Sequence, residues 1–234
     1  MVFHTTDTIC ALTGASLSNL RHWQRFGLIQ SHPSERFWTD GQLSEIRQVM
    51  LSSALGATAR EISANLGESK PLRSYGWCVR RGEMLDKLES GSDRALARLV
   101  RCLSRDFSGD DFVRKLMKPL GLWLRHDERA GSAIRLVRFQ DIVELHAINV
   151  ARASHRAGSP PLLLEITDSA EETDVLLEVI RLTAQGFCVD VFDPACGPVY
   201  SAVTRSYEHH LVWAEEGLVF KKSEEAHARI PLAG

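Results

Sequence analysis

The stretch that decides the fold runs from residue 16 to residue 29 and reads Ser-Leu-Ser-Asn-Leu-Arg-His-Trp-Gln-Arg-Phe-Gly-Leu-Ile. Leu17, Leu20 and Trp23 recur every three residues, a spacing that is typical of the buried face of a short helix. Ser16 can cap the start of this helix. Gly27 is expected to end it, because a glycine accepts the left-handed backbone that often follows a helix.

A second short helix is predicted just before this stretch. Thr6 can cap it, Ile9 and Leu12 would lie on one face, and Gly14 would end it. Two short helices around a turn that contains glycine form the helix-turn-helix pattern.

The residues that follow predict a wing and two further helices. The polar segment 30–35 leads to Arg36-Phe37-Trp38, which we interpret as a small wing anchored by aromatic side chains. Capping boxes at residues 39–42 and 58–61 each precede apolar residues at helical spacing. Residues 1–70 are therefore predicted to form a winged helix-turn-helix domain.

The rest of the chain predicts two more units. After a polar linker at residues 68–76, residues 77–157 carry apolar stripes at helical spacing, which favours a helical bundle. In residues 160–234 a strand (162–166), a helix that starts at Asp168 or Ser169, and further strands (188–192, 210–214 and a weak one at 228–232) predict a reduced Rossmann-like domain. The expected fold class is mainly α plus α/β.

Composition places the chain among ordered soluble proteins. Of its 234 residues, 44% are hydrophobic and 25% are charged. No apolar run approaches the ~20 residues of a membrane span, so we expect a cytoplasmic protein without a membrane partner. The five cysteines are dispersed and include no Cys-x-x-Cys pair, which argues against a disulfide framework or a zinc site.

The stretch at residues 20–29, with Arg36-Phe37-Trp38 and the helix from Thr39, resembles the MerR family of transcription regulators. The resemblance implies that Arg21 and Trp23 contact DNA phosphates and that Ser18, Asn19 and His22 face the major groove, with Arg25 on the same helix. Arg36 would be the phosphate contact of the wing. The net charge of −2 means that DNA binding would depend on where the cations lie, because there is no basic excess.

Two alternatives stay open for this region. Trp23 lies in line with Leu17 and Leu20, so it can be purely packed, with only its indole N–H reaching a partner. The whole segment can also be a protein-binding adaptor with a solvated polar face.

Over nearly its whole length the layout resembles MlrA-type and CarH-type regulators, in which a helical bundle and a cobalamin-binding-like domain follow a MerR-like head. Cobalamin binders of this kind carry Asp-x-His-x-x-Gly, whereas residues 168–173 read Asp-Ser-Ala-Glu-Glu-Thr. Trp123 and residues 144–146 only loosely echo the residues that cover the cofactor, and His146 is interpreted as a core histidine. We therefore expect no cofactor.

These observations predict a DNA-binding transcription regulator that binds a near-palindromic promoter site as a homodimer. Double-stranded DNA is the expected partner, and RNA polymerase or a regulatory protein is a further one. No catalytic signature is present, and the adjacent His209 and His210 would point to opposite faces of a strand, so we predict neither an enzyme nor a metal site. The competing class is a sensor that holds cobalamin or haem between bundle and α/β domain, with light or redox state as its signal.

Overall fold

The structure is a computed structural model that describes residues 3–30, 37–65, 75–166, 171–193, 207–214 and 217–220. It is mainly helical, with a small sheet near the C-terminus that contains three parallel strands. The buried apolar side chains of the described residues form clusters in the N-terminal unit, in a helical bundle and beneath the sheet.

The N-terminal unit packs four helices against a two-stranded ribbon. Its elements are β1 (Phe3–Thr5), α1 (Thr6–Thr13), α2 (Leu17–Arg25), β2 (Phe37–Thr39), α3 (Asp40–Ala54) and α4 (Ala59–Asn65). The two strands pair antiparallel, with His4 opposite Trp38. The core between the helices includes Ile9, Leu20, Trp23 and Ile46, none of which is exposed.

Side-chain caps fix where these helices begin. Ser16 and Asn19 exchange hydrogen bonds between side chain and backbone at the start of α2, and Thr39 and Gln42 do the same at the start of α3. The predicted box at residues 58–61 also forms. For α1 the predicted cap was wrong by one residue: the Thr5 hydroxyl accepts the Thr8 N–H, because β1 ends at Thr5 and the helix starts at once.

The bundle spans most of the middle of the chain. Its elements are α5 (Trp77–Ser90), α6 (Asp93–Asp106), α7 (Gly109–Asp111), a π-helical turn (Phe112–Met117), α8 (Lys118–Arg125) and α9 (Ser132–Ala157). The predicted apolar stripes of α6 and α9 are buried in its core, which confirms that part of the sequence pattern. The π-helical turn has no counterpart among the sequence predictions.

The sheet and one helix complete the described fold. These elements are β3 (Pro161–Ile166), α10 (Glu172–Ala184), β4 (Cys188–Phe192), β5 (His209–Ala214) and β6 (Gly217–Phe220). The strand order is β4-β3-β5-β6, with β3 parallel to both neighbours and β6 antiparallel to β5. Helix α10 packs on both sides: Leu177 and Ile180 belong to the bundle core, whereas Val175, Val179 and Leu182 pack beneath the sheet.

Three differences from the sequence predictions concern this last unit and the linker. Helix α10 begins at Glu172, later than predicted, and Asp168 and Ser169 lie outside the described residues. Strand β6 was not predicted, and the weak strand at 228–232 lies outside the described residues, as does most of the linker at 68–76. None of the helices in the described ranges combines the length and the apolar character that a bilayer crossing needs.

Candidate nucleic-acid interface

Helix α2 presents three different faces to its surroundings. Leu20 and Trp23 are fully buried in the core of the N-terminal unit. Asn19 and His22 lie about a quarter turn around the helix from Leu20 and Trp23. They face the C-terminal end of α6. Ser18, Arg21 and Arg25 are exposed.

The exposed residues form one cationic stripe. At about 100° per residue, Ser18, Arg21 and Arg25 fall within an arc of about 60°. The segment Leu17–Arg25 contains two arginines and no Asp or Glu, so the helix itself carries a net positive charge. We call Ser18, Arg21 and Arg25 the α2 stripe. Its guanidinium groups offer the planar donors that bind phosphate oxygens or the edge of guanine.

The second face of α2 is held by the end of α6. The side-chain amide of Asn19 donates to the backbone carbonyls of Arg105 and Phe107, each over 2.8 Å. His22 Nε2 lies 3.0 Å from Asp106 Oδ1. The indole N–H of Trp23 donates to the Asp106 carbonyl over 3.3 Å. All polar groups that Asn19 offers are therefore used inside the molecule.

Asp106 is the centre of this contact. Its side chain is 8% exposed, and Oδ1 also accepts the backbone N–H of Ala59 over 2.9 Å. Ala59 is the first residue of α4, where unpaired N–H groups and the helix dipole favour a carboxylate. One carboxylate therefore ties both α2 and α4 to the end of α6.

Two further contacts hold the N-terminal unit against the bundle. Arg80 of α5 pairs with Glu61 of α4 over 2.6 Å. The indole N–H of Trp77 and the ammonium of Lys115 both donate to the Ala54 carbonyl at the end of α3. The two units are thus packed together through polar contacts as well as through α2.

The structure corrects the exposure that the sequence predicted for three site residues. Asn19 and Trp23 are 1% and 0% exposed, and His22 is half-buried against Asp106, so none of them faces solvent here. Trp23 adopts the packed position, with its indole N–H on a protein partner. Ser18, Arg21 and Arg25 are exposed as the helical spacing indicates, and Arg36 lies outside the described residues.

Sequence reasoning missed Asp106 and the carbonyls of Arg105 and Phe107. These groups lie more than eighty residues from α2 in the chain. Every residue has a backbone carbonyl, so the sequence does not indicate which carbonyl will accept a side-chain hydrogen bond. One signal was available: Asn19 stands at the third helical position after Ser16, where a capping box occupies its oxygen and leaves its two N–H donors to find acceptors elsewhere.

The described residues also bear on the regions that a cofactor would occupy. His146 is 5% exposed in the bundle core, and its Nε2 has no hydrogen-bond partner. Burial, with a smaller contribution from the charge of Arg101, lowers the pKa of His146 to about 4. Its ring meets Phe112 edge to face at a centroid distance of 5.9 Å, so it packs as a neutral core side chain.

An open groove of about 640 Å³ lies between α9 and β4. Its walls include Arg152, His155 and Arg156 of α9 and Cys188 of β4. Cys188 is the first residue of its strand, so the groove lies at the amino end of β4. Ligands of α/β sheets bind at the carboxyl ends of the strands and mostly against apolar walls. The groove therefore does not lie where ligands of α/β sheets usually bind.

His209 and His210 lie on opposite faces of β5. His209 stacks edge to face against Phe187 over a centroid distance of 5.2 Å, whereas His210 Nε2 lies 2.7 Å from Glu165 Oε2 on β3. Among the described residues, no group of three or more His, Cys, Asp or Glu side chains is placed to hold a metal ion.

No protein-family model matches the chain, and no curated protein matches it closely enough to count as a relative. Any assignment of function therefore depends on the geometry of α2 and on what its exposed side chains can bind.

Proposed function

We propose that this protein is a DNA-binding transcription regulator of the MerR type, with α2 as the helix that contacts the major groove. The observation that carries the proposal is the α2 stripe: two arginines and a serine on the exposed face of α2, the second of two short helices that flank a turn at Gly14. In such pairs the second helix enters the major groove, and its outward side chains meet phosphates and base edges. The sequence resemblance to MerR regulators supports the same helix.

The arrangement around α2 supports a wing beside it. The antiparallel pairing of β1 with β2 places Phe37, an aromatic anchor of the predicted wing, opposite Thr5, which caps the start of α1. Arg36, which precedes Phe37 in the predicted wing, would supply a further phosphate contact. Two copies bound to a near-palindromic promoter would double these contacts, since one small head offers limited area.

The contacts of α2 with α6 define two modes of binding. With α6 in place, the α2 stripe can meet phosphates at the surface of the duplex. Full insertion of α2 into a groove about 12 Å wide brings a phosphate strand to each side of the helix. Asn19 and His22 can contact bases only after α2 separates from the end of α6. Their predicted role therefore applies only to a form of the protein in which this contact is broken.

The test is a salt titration of DNA binding. Promoter DNA from the gene's own neighbourhood is labelled, and its affinity for the full chain is measured by fluorescence anisotropy at several salt concentrations. We expect Arg21→Ala and Arg25→Ala each to reduce the slope of log affinity against log salt by about one unit, because each removes one phosphate contact.

Arg94→Ala is the matched control, since Arg94 is exposed near the start of α6, about 18 Å along the helix axis from the contact with α2. It should leave the slope unchanged. A protein-binding adaptor would show no salt-dependent DNA binding, or equal slopes for all four proteins, and either result would reject the proposal.

A further inference from the structure

Helix α9 carries an apolar stripe that the described fold leaves uncovered. Its 26 residues bury Phe139, Val143 and Ala147 in the bundle on one side. On the opposite side Ile134, Val137, Leu145 and Ile148 are 66%, 53%, 47% and 38% exposed. At about 100° per residue these four positions lie within an arc of about 80°, so they lie along one side of the helix.

Two opposite charges lie on the same side. Asp141 falls between Val137 and Leu145, and Arg152 follows Ile148 by four residues. Both side chains are exposed, and within the described part of the chain neither has an ion-pair partner. Arg138, which could reach Asp141 along the helix, is already bound to Asp93 of α6. Along this side of the helix, Asp141 therefore precedes the apolar pair Leu145 and Ile148, and Arg152 follows it.

A second copy of the chain complements this pattern when its α9 runs antiparallel across a two-fold axis. With the axis between residues 146 and 147, each Leu145 lies opposite Ile148 of the second copy. Each Asp141 then lies opposite Arg152 of the second copy. The two central layers are apolar, and an ion pair closes each end, over about 17 Å of helix.

The charges disfavour a competing register, in which the two helices are shifted along each other. A shift that placed Ile134 opposite Ile148 and Val137 opposite Leu145 of the second copy would pair more apolar side chains. It would also place Asp141 against its own symmetry mate at the axis, which like-charge repulsion disfavours. The acid and the base thus select one register, as polar residues do in other helix pairs.

We propose that two copies of this protein associate through their α9 helices, antiparallel, with Leu145 on Ile148 and Asp141 on Arg152 across the two-fold axis. This association does not require DNA. It supplies the pair of heads that a near-palindromic site would engage.

The experiment measures the dimer dissociation constant of the full chain by sedimentation equilibrium without DNA. We expect the wild type to dimerise at micromolar concentration. Asp141→Arg and Arg152→Asp should each weaken the dimer at least tenfold, because each places like charges at both ends of the contact. The double variant should restore the wild-type affinity to within about threefold, since it exchanges the two charges. All changed residues are exposed, so the fold should be retained.

Gln140→Arg is the matched control, because Gln140 is exposed on α9 but lies away from the stripe. It should leave the dissociation constant unchanged. A wild type that remains monomeric, single variants that dimerise normally, or a double variant that stays monomeric would each overturn the proposal. Tighter association of Asp141→Asn would assign the contact to the competing register and would also overturn it. None of these results touches the proposal of DNA binding, which is measured separately.

Discussion

At the scale of single residues, His146 makes the stability of the protein depend on pH. Its pKa is about 4 in the folded chain, against an ordinary value of 6.5. As the pH falls below 6.5 the unfolded chain binds the proton more readily than the folded chain does, so the free energy of unfolding decreases. The loss should reach about 3 kcal/mol once the pH is below 4.

His146→Leu should remove this part of the pH dependence, because leucine has a similar volume and no titrating group. The measurement is urea unfolding between pH 8 and pH 4, with His155→Gln as the control, since His155 is exposed near the end of the same helix. At pH 8 the leucine variant should be at least as stable as the wild type, because it also removes the unpartnered Nε2. Parallel pH profiles for wild type and His146→Leu would contradict this account.

His146 also shows what helical periodicity in a sequence can and cannot predict. The spacing of Phe139, Ile142, Val143 and His146 predicts a buried histidine, and the structure places it in the core. The pattern of α2 predicts correctly that Leu20 is buried and that Arg21 and Arg25 are exposed, but Leu17, on the same predicted buried face, is 40% exposed. It fails for Asn19 and His22, because their burial is caused by α6, and helical periodicity carries no information about a distant partner.

At the scale of elements, local signals predicted the starts of α2, α3 and α4, and close approaches between helices could not be predicted. Ser16, Thr39 and Thr58 mark helix starts because each bonds to a residue only three positions away. The close packing of α7 against α10 depends on Gly109. Nothing in the sequence distinguishes this residue from the other glycines, of which the chain has sixteen in all. A β-carbon at Gly109 would lie 2.4 Å from that of Ala184.

Gly109→Ala should therefore lower the free energy of unfolding by about 1–3 kcal/mol, because the added methyl group must push α7 away from α10. Gly82→Ala is the opposite case: Gly82 lies inside α5, and its β-carbon would meet nothing within 4 Å. That change should stabilise the protein by about 0.5–1 kcal/mol through helix propensity. Thermal unfolding of both variants is the measurement. If Gly109→Ala is at least as stable as the wild type, α7 and α10 do not approach as closely as described.

At the scale of the whole molecule, helices shared between units join the cores. Helix α10 contributes to the bundle core and to the core beneath the sheet, and the end of α6 is shared between bundle and N-terminal unit through Asp106. The sequence predicts three units from turn residues and changes of periodicity, and the described cores lie in the N-terminal unit, in the bundle and beneath the sheet. It could not predict how they pack, because that depends on contacts between residues far apart in the chain.

If α2 has the proposed role, loss of the contact at Asp106 should lower the stability of the protein and raise its affinity for DNA. Asp106→Ala removes the acceptor of the Ala59 N–H and the partner of His22, so the free energy of unfolding should fall by about 1–3 kcal/mol. The same change weakens the docking of α2 against α6. If docking competes with insertion into the major groove, a loss of about 1.4 kcal/mol of docking energy raises the apparent DNA affinity about tenfold.

The loss of a negative charge near the α2 stripe would also favour DNA, and salt separates the two causes. A long-range charge effect vanishes at high salt because it is screened, whereas release of α2 raises the affinity at every salt concentration. Asp93→Ala, with the same change of charge at the other end of α6, should show at most the screened effect. Equal DNA affinities for wild type and Asp106→Ala at high salt would mean that α2 contacts DNA only through Ser18, Arg21 and Arg25, with the bundle still in place.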